Sequence, residues 1–459
     1  MTQLDVDLVV LGFGKGGKTL AADMGKRGWR VALVERSSAM YGGTCINTGC
    51  VPTKSMVYQG ERLSGDHVTP QAYTAAVETT AHLTAGLRAV NLASFDPIAT
   101  ATVLTGRARF VDANTVEVTT DDDVISVAAR FVVVSTGSEP VIPPIPGLAE
   151  CPVAVSSTQL LSQRDLPTRL VVLGGGYIGL EFAAMFASYG SQVTVLDRGP
   201  RILRREDDDV ASNVRDILSD KGIHLVAGAD ITEVQTGDEG GATVRYRAGG
   251  EEFDAPADTV LVAMGRSPVT AELNLQAAGV HTAADGSIVV DEYLRTNQPH
   301  VFAIGDVNGG PQFTYISLDD YRVVLDQLID APQPRSTTRR VAVPNTLFIT
   351  PPLARVGLTE REARDAGMRI KVASSPVAKL ATVARARIVA ETEGMMKVVV
   401  DAETDLILGA TLLSYDSHEV INIVALAMRH GITATDLRDE IYTHPSMTEC
   451  FNQLLGMLA

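Results

Sequence analysis

Residues 6–35 read "VDLVVLGFGKGGKTLAADMGKRGWRVALVE", in the order strand, glycine turn, helix, strand. The short apolar run at the start suits a buried strand. "GFGKGG" supplies Gly12, Gly14 and Gly17, a helix is expected through "KTLAADMGKRG", and "RVALVE" closes on Glu35. This is the dinucleotide fingerprint in its required context, and each glycine has its own reason. Gly12 permits the tight turn, Gly14 lets a pyrophosphate approach the backbone, and Gly17 lets the helix lie close to the sheet. The helix N-terminus offers free amides and a positive dipole end to the phosphates. Glu35 can accept bonds from a ribose.

The pattern returns at residues 170–198, "LVVLGGGYIGLEFAAMFASYGSQVTVLDR". Gly174, Gly176 and Gly179 repeat the three glycines, and Asp197 repeats the acid. The same separation links Gly12 to Gly174, Gly17 to Gly179 and Glu35 to Asp197. One glycine turn is weak evidence, because such turns are common; two complete copies in one register are strong evidence. Two dinucleotide sites in one chain suggest electron transfer between two nucleotides, such as a nicotinamide and a flavin. "TNQPHVFAIGDV" (296–307) supports the flavin, since a buried strand ends in Asp306, where a carboxylate could bind a ribityl chain. Alone, Asp306 reads equally well as a turn aspartate.

At 459 residues the chain should split into two to four domains. A hydrophobic content of 45% with 20% charged residues is that of a soluble globular protein. The 39 basic and 55 acidic side chains give a net charge of −16. That argues against nucleic-acid and anionic-membrane partners, which call for a basic face. The opening "MTQLDVDLVVLGFG" lacks a basic n-region and a cleavage site. The stretch from Leu170 to Leu196 is apolar, but it carries five glycines and Glu181 and parses as strand, turn and helix rather than as a membrane span. A cytoplasmic location is the expectation, and there thiols stay reduced. Cys151 and Cys450 are isolated and read as ordinary buried packing residues. Cys45 and Cys50, in "GGTCINTGCVPTK" (42–54), are left as a redox pair, a metal site or a crosslink, and the compartment counts against the last.

"GGTCINTGCVPTK", the two fingerprints, "AIGDV" and the late "HPSMTE" together resemble the flavoprotein disulfide reductases. That family includes glutathione reductase, dihydrolipoyl dehydrogenase and mercuric reductase. The resemblance covers essentially the whole chain, with the motifs in the family's order. It implies an α/β fold of two dinucleotide-binding, Rossmann-like domains plus a C-terminal α+β dimerisation domain, as in glutathione reductase. The FAD domain is expected at 1–150 and 270–340, the NAD(P)H domain at 151–269, and the dimerisation domain at 341–459. The sequence agrees independently near its end. "GMMKVVVDAETDLILGATLLS" reads as a hairpin around the polar turn Asp401–Thr404, and "HEVINIVALAMRHG" has helical spacing and ends on Gly431. By the same resemblance FAD contacts fall on Gly12, Gly14, Gly17, Glu35, Gly43, Thr44, Lys54, Ala108, Thr136, Gly137, Asp306 and Thr314. Those to NADH or NADPH fall on Gly174, Gly176, Gly179, Asp197 and Gly265.

A zinc site needs about four ligands, and two lone cysteines with no nearby histidine do not supply them; no metal is expected. Their spacing, directly before a helix expected to begin near Pro52, suits a dithiol at a helix N-terminus, where the dipole favours thiolate. The pair is read as a catalytic disulfide. The family assigns Cys50 to the flavin-facing, charge-transfer thiolate and Cys45 to the outward thiol that attacks substrate. It also pairs Lys54, one helical turn past Cys50, with Glu181 of "GLEFA" beside the flavin. Late in the chain, "YTHPSMTEC" holds His444 and Glu449. The resemblance makes His444 an acid/base that enters the other subunit's site in a homodimer, oriented by Glu449. Ser446 and Glu449 also form an S-x-x-E capping box, so Glu449 has a purely structural alternative. His418 in "SYDSHEVIN" is expected to cap a helix or line the dimer interface.

Within the family, no metal-binding domain with its own cysteine pair precedes the flavin domain, and no paired cysteines follow Cys450. Both count against mercuric reductase, and the second against large thioredoxin reductases. Lipoamide enzymes usually carry a second histidine two positions before the catalytic one; here that position is Tyr442. "LGFGKGGKTLA", "AMYGGTCINTGCVPTK" and "FTYISLDDYR" resemble the reactive-chlorine-resistance branch, reductases of hypothiocyanous acid also linked to copper(II) reduction. The expected activity passes electrons from NAD(P)H through FAD and the Cys45–Cys50 disulfide to such a small oxidant, in oxidative-stress defence. Alternatives are a dihydrolipoyl dehydrogenase or other low-molecular-weight disulfide reductase, a subunit of a multienzyme complex, and a redox sensor. Asp197 favours NADH by repelling a 2′-phosphate, while Arg198, Arg201, Arg204 and Arg205 pull toward NADPH.

Overall fold

Strand β1 (Thr2–Leu11) lies at the centre of a seven-stranded sheet because its last residues are apolar on both faces. Leu8 and Val10 pack into one core, Val9 and Leu11 into another, on opposite sides of the sheet. Such a strand needs cover on both faces, which parallel crossovers supply. Helix α1 (Lys15–Lys26) is the first crossover, and β2 (Val31–Glu35), wholly buried, pairs parallel with β1. Helices α2 (Thr44–Asn47), α3 (Cys50–Gly60) and α4 (Pro70–Ala93) follow. Strand β3 (Ala101–Thr105) then pairs parallel with β2, and β4 (Arg107–Phe110), β5 (Thr115–Thr119) and β6 (Val124–Val134) form an antiparallel meander. β6 returns to pair parallel with β1, giving the order β3-β2-β1-β6-β5-β4. The far end of β6 also takes the strand Val301–Ala303, so the sheet is completed by chain from much later in the sequence.

The computed structural model describes residues 2–63, 67–237 and 240–458. Between the two parts of the first sheet the chain builds a second, five-stranded one. Its order is His224–Ala227, Gln192–Asp197, Arg169–Leu173, Thr259–Val262, Ala154–Ser156, all parallel. The helix Tyr177–Ser188 covers one face; the antiparallel meander Asp230–Thr236, Ala242–Ala248, Glu251–Ala257 covers the other. The chain leaves and re-enters the first unit side by side: Ser138–Pro140 pairs antiparallel with Arg266–Pro268. Arg266 fastens the crossing, donating to Ser138 Oγ at 2.8 Å and to the Ser138 carbonyl at 2.6 Å.

The C-terminal third is a five-stranded antiparallel sheet, Asn345–Leu347, Leu353–Gly357, Ile407–Leu413, Met395–Asp401, Ile370–Pro376, backed by the helix Ser417–His430. Met395–Asp401 and Ile407–Leu413 form the hairpin expected there, its turn bound by Asp401 Oδ1 accepting from the amides of Glu403 and Thr404. The helix ends at Gly431, whose φ of +64° is the left-handed conformation of a C-cap. The architecture is therefore two Rossmann-like α/β units and a C-terminal α+β unit. One core runs through all three, joining Met56 and Tyr73 of α3 and α4 to Leu180 and Phe186 of the second unit and Leu347 and Leu413 of the third. Among the described residues no helix is long and apolar enough to cross a membrane.

An ion cluster around the buried pair Lys397 and Asp207 ties the second unit to the third. Lys397, 5% exposed, contacts Asp207 at 3.1 Å, Asp209 at 2.9 Å and Glu360 at 2.7 Å. Asp207 also accepts from the Glu360 and Arg361 amides, both at 3.0 Å. Arg361 reaches back to the carbonyls of Glu206 and Arg204. The loop that follows Asp197 is thereby held by residues of the C-terminal unit.

Candidate active site

The cysteine loop rests directly on the first fingerprint. Gly43 has φ +77°, and a Cβ there would sit 2.6 Å from Gly14 Cα, so only glycine permits this approach. Asn47 pins the loop by donating from Nδ2 to the carbonyls of Tyr41 and Gly43 at 3.0 and 2.9 Å. Cys45 lies on α2, next to Thr44 at the start of that helix, and Cys50 opens α3. That helix begins at Cys50, earlier than the start near Pro52 read from sequence. Proline lacks an N–H and is tolerated anywhere in a first turn, so it does not mark the first residue.

Both cysteines are free thiols, and their environments drive them apart. Cys50 is held well below the usual thiol range, chiefly by a hydrogen bond from Cys45. Burial opposes this, while Thr314 and the charge of Lys54 add to it. Cys45 is pushed up by the same hydrogen bond and by burial. The thiolate therefore resides on Cys50. Thr314 Oγ1 lies 3.7 Å from Cys50 Sγ and opens the helix Thr314–Leu328.

Lys54 Nζ lies 2.7 Å from Glu181 Oε2, and Glu181 is 9% exposed on the helix Tyr177–Ser188. Phe348, which the sequence reading missed, completes this pair. Its amide donates to Glu181 Oε1 at 2.9 Å, and its ring lies under Lys54 at 4.5 Å. Nothing local in "NTLFITPP" signals this, because both partners come from distant chain.

Gly12, Gly14 and Gly17 span the turn from β1 into α1. Gly12 has φ +110°, and a Cβ there would lie 2.2 Å from the Ser135 carbonyl oxygen. Glu35 Oε2 accepts from the Phe13 amide at 3.0 Å, and burial raises its carboxyl against the pull of nearby backbone amides. Asp306 accepts from Ser138 Oγ at 2.6 Å. Thr136 Oγ1 donates to the Val269 carbonyl at 2.7 Å, and Gly137 and Gly265 both have positive φ where the chain crosses between the first two units. Ala108 is on β4, opposite Val118. These residues fit FAD on two observations. The N-cap residues of α1 and of the helix Thr314–Leu328 give no side-chain cap, and although Ser317 Oγ takes the Gly16 amide at 3.1 Å, other first-turn amides are left for anionic groups. Cys50 is deeply set among protein atoms yet open to solvent, as the wall of a cleft is.

In the second unit Gly174, Gly176 and Gly179 make the corresponding turn, and both Asp197 oxygens accept backbone amides, from Gly175 at 2.7 Å and Gly199 at 2.6 Å. The four arginines separate. Arg201 is engaged by the carbonyls of Arg204 and Glu206 and by Asp208 at 3.1 Å. Arg204 is exposed beside Asp197: a Cβ on Gly199 would lie 2.7 Å from Asp197 Oδ1 and 2.9 Å from Arg204 Nε. Arg198 and Arg205 are exposed.

His444 Nδ1 lies 2.9 and 3.1 Å from the two oxygens of Glu449, and the imidazole is exposed. Glu449 also accepts from the Ser446 amide at 2.8 Å. Burial works to raise this carboxyl, but the Ser446 amide and His444 outweigh it and hold it low. Half of the capping box forms, Glu449 accepting the Ser446 amide, but the bond back to Ser446 Oγ does not. Ser446 Oγ bonds Thr448, and the helix starts only at Cys450. His418 is no cap either; Asp416 holds that position, and the His418 ring packs against Phe348 at 5.5 Å. Cys151 and Cys450 are both buried.

Comparison with known proteins bears on this arrangement. Residues 6–320 match the family model described as pyridine nucleotide-disulphide oxidoreductase, and residues 343–455 match that family's dimerisation domain. The chain is 42% identical over 450 residues to the probable pyridine nucleotide-disulfide oxidoreductase RclA of Escherichia coli K12, covering 98% of each. It is 32% identical to a mercuric reductase of Staphylococcus aureus, over 97% of this chain and 81% of the other. It is 31% identical to a dihydrolipoyl dehydrogenase of Geobacillus stearothermophilus, over 97% and 94%. The solved structure described as HOCl-induced flavoprotein disulfide reductase RclA from E. coli superposes with a TM-score of 0.91 at 41% identity, over 98% of this chain and 99% of that one. Its Cu(II) complex does so at 0.92.

Proposed function

We propose that this chain, which belongs to the pyridine nucleotide-disulphide oxidoreductase family, is a reductase of a small electrophilic oxidant, hypothiocyanous acid fitting best. It is a flavoprotein disulfide oxidoreductase with FAD as cofactor and NAD(P)H as donor. The observation that carries the reading is a dithiol polarised toward a Cys50 thiolate, on a chain similar over its whole length to a reductase described as HOCl-induced. The flavin unit is assigned to 1–150 and 270–340, the nicotinamide unit to 151–269, and the dimerisation unit to 341–459.

FAD, when bound, supplies the relay between a hydride donor and a dithiol. Its holders are assigned to Gly12, Gly14, Gly17, Glu35, Gly43, Thr44, Lys54, Ala108, Thr136, Gly137, Asp306 and Thr314. Those of the nicotinamide are Gly174, Gly176, Gly179, Asp197 and Gly265. Glu181 holds Lys54 in position in the cleft. The Cys45 thiolate attacks the oxidant's sulfur: a sulfur–sulfur bond forms, the sulfur–oxygen bond breaks, and hydroxide leaves to become water. The Cys50 thiolate then attacks Cys45 Sγ and expels thiocyanate, closing the disulfide. The dithiol loses two electrons and the oxidant gains them. His444, oriented by Glu449, takes the proton from Cys45. In the homodimer it does so across the interface, a reading supported by the exposure of the His444 imidazole and of Ile441 at 95%. A nicotinamide donor and free thiols suit the cytoplasm.

Copper(II) is a second reading, because a similar solved structure is described as a Cu(II) complex. Among the described residues no group of three His, Cys, Asp or Glu could hold an ion, so a transient contact with the thiols suits it better than a resident metal. The test follows NADH oxidation by purified enzyme with hypothiocyanous acid, glutathione disulfide, lipoamide and copper(II) in parallel. Hypothiocyanous acid should turn over fastest. Much faster turnover of lipoamide or glutathione disulfide sinks the assignment.

A further inference from the structure

Two lysines flank the dithiol, and only one is neutralised. Lys54 has Glu181. Lys18, one turn into α1, donates from Nζ to Asn91 Oδ1 on α4, a neutral amide, and no carboxylate pairs with it among the described residues. The tether is built. Asn91 Nδ2 donates to the Leu87 carbonyl at 2.7 Å, which leaves Oδ1 turned to the lysine. One turn earlier on the same side of α4, Arg88 donates to Asn47 Oδ1 at 3.2 Å and to the Ala39 carbonyl at 3.1 Å. Asn47 closes α2, the short helix that carries Cys45. Arg88 also lacks a carboxylate partner among the described residues, and Lys15 lies one turn before Lys18 on α1. On a chain of net charge −16, Lys15, Lys18 and Arg88 have no acid paired to them among the described residues.

We infer that Lys18, tethered by Asn91 and backed by Arg88, is the anion-recognising group of the substrate site, drawing anionic electrophiles to Cys45 and steadying the anion that leaves.

The groups facing Lys18 are Asn91 from α4, Lys15 from its own helix and Cys45 from α2. Burial first, and Lys15 second, pull its ammonium down to about 8, and the Cys45 charge opposes them. At neutral pH the ammonium is mostly charged, in a half-buried place where salt screens weakly. Thr314 and Lys18 are in turn the groups that pull Cys45 toward thiolate. The chemistry of the oxidant matches. Hypothiocyanite arrives as an anion in equilibrium with its acid, and thiocyanate departs as one. A neutral disulfide gains nothing from the same ammonium. The inference rests on the reading of Cys45 as the outward, attacking thiol.

The test alkylates NADH-reduced holoenzyme with iodoacetate and with iodoacetamide, which share a leaving group and differ in charge. Peptide mass spectrometry scores modification at Cys45. The wild-type ratio of iodoacetate to iodoacetamide rates should fall roughly tenfold in Lys18→Met. Lys18→Arg should keep the ratio within about twofold, and Asn91→Ala, which leaves the charge but frees it, should lower it in part. An unchanged ratio in Lys18→Met overturns the inference. So does an equal slowing of both reagents, which would confine Lys18 to packing or thiolate stabilisation. A ratio that shifts as expected in an enzyme that ignores hypothiocyanous acid upholds the anion site and discards the oxidant instead.

Discussion

The amide of Phe348 donates to Glu181 Oε1 at 2.9 Å, so the carboxylate that neutralises Lys54 is aimed by a residue of the C-terminal third of the chain. Lys54 and Glu181 come from the first and second units, which puts one residue of each unit at the same point. Glu181→Gln keeps the shape and the amide contact but removes the counter-charge. It should slow flavin reduction by NADH by about an order of magnitude, measured by stopped-flow, with a small change in Tm. A fall in Tm with unchanged flavin reduction would make the pair structural.

The two sulfurs should separate spectroscopically. Cys45→Ser should retain the long-wavelength absorbance of a thiolate against bound flavin, and Cys50→Ser should abolish it. In two-electron-reduced wild type the signal should fade as pH drops through about 6, where Cys50 takes up a proton. The largest cause of that low value is the hydrogen bond from Cys45. Cys45→Ala, which has no donor, should therefore move the midpoint upward; an unmoved midpoint contradicts this cause.

His444→Ala should separate substrates. A disulfide expels a thiolate that must be protonated, so its turnover should fall by roughly 10²-fold or more. Hypothiocyanous acid releases hydroxide, which surrounding water can protonate, and then thiocyanate, which needs no proton, so its turnover should fall less than about tenfold. Equal losses in kcat for both would assign His444 only to deprotonating Cys45.

Asp197 should make NADH the better donor, since its carboxylate, fixed by two backbone amides, repels a 2′-phosphate. Of the four nearby arginines Arg204 is the one beside it. Arg204→Ala should lower kcat/KM for NADPH by roughly five- to tenfold and leave NADH within about twofold. Higher efficiency with NADPH in the wild type would show that the arginines prevail.

Lys397→Met leaves the buried Asp207 without its cation, while Glu360 keeps Arg364, and should destabilise the fold by about 3–5 kcal/mol, read from chemical denaturation. Burial works to raise Asp207, but the Arg361 amide, Lys397 and the Glu360 amide hold it below its ordinary value. A lowered carboxylate gives stability that is present above the unfolded-state pKa, about 3.9, and lost as pH falls through the folded one. The Lys397→Met enzyme should lose less of its stability between pH 5 and pH 3 than the wild type.

What the sequence made legible was what neighbouring residues decide. The glycine turns, the dithiol beside them and the hairpin around Asp401 each depend on a few consecutive positions. The fate of Arg201, by contrast, depends on Asp208 and on its own loop being folded back by Arg361, and no spacing encodes that. Phe348 is invisible for the same reason. For Glu449 the sequence offered an orienting role or a cap, and the carboxylate does both at once, taking the His444 imidazole and the Ser446 amide. Lys18 stood in plain view inside the fingerprint. Its meaning required α4 to bring Asn91 across.

The hold of Arg361 and Lys397 on the loop after Asp197 bears on how such enzymes can be recombined. By its sequence the second nucleotide unit looks like a cassette, with a clean entry and exit at the paired strands Ser138–Pro140 and Arg266–Pro268. Transplanted into a relative, it would bring the loop without its anchor and leave Asp207 buried against a foreign sheet. A graft that carries the strand Met395–Asp401 and the helix Glu360–Asp365 along with it should keep the donor's coenzyme preference, and one that omits them should not.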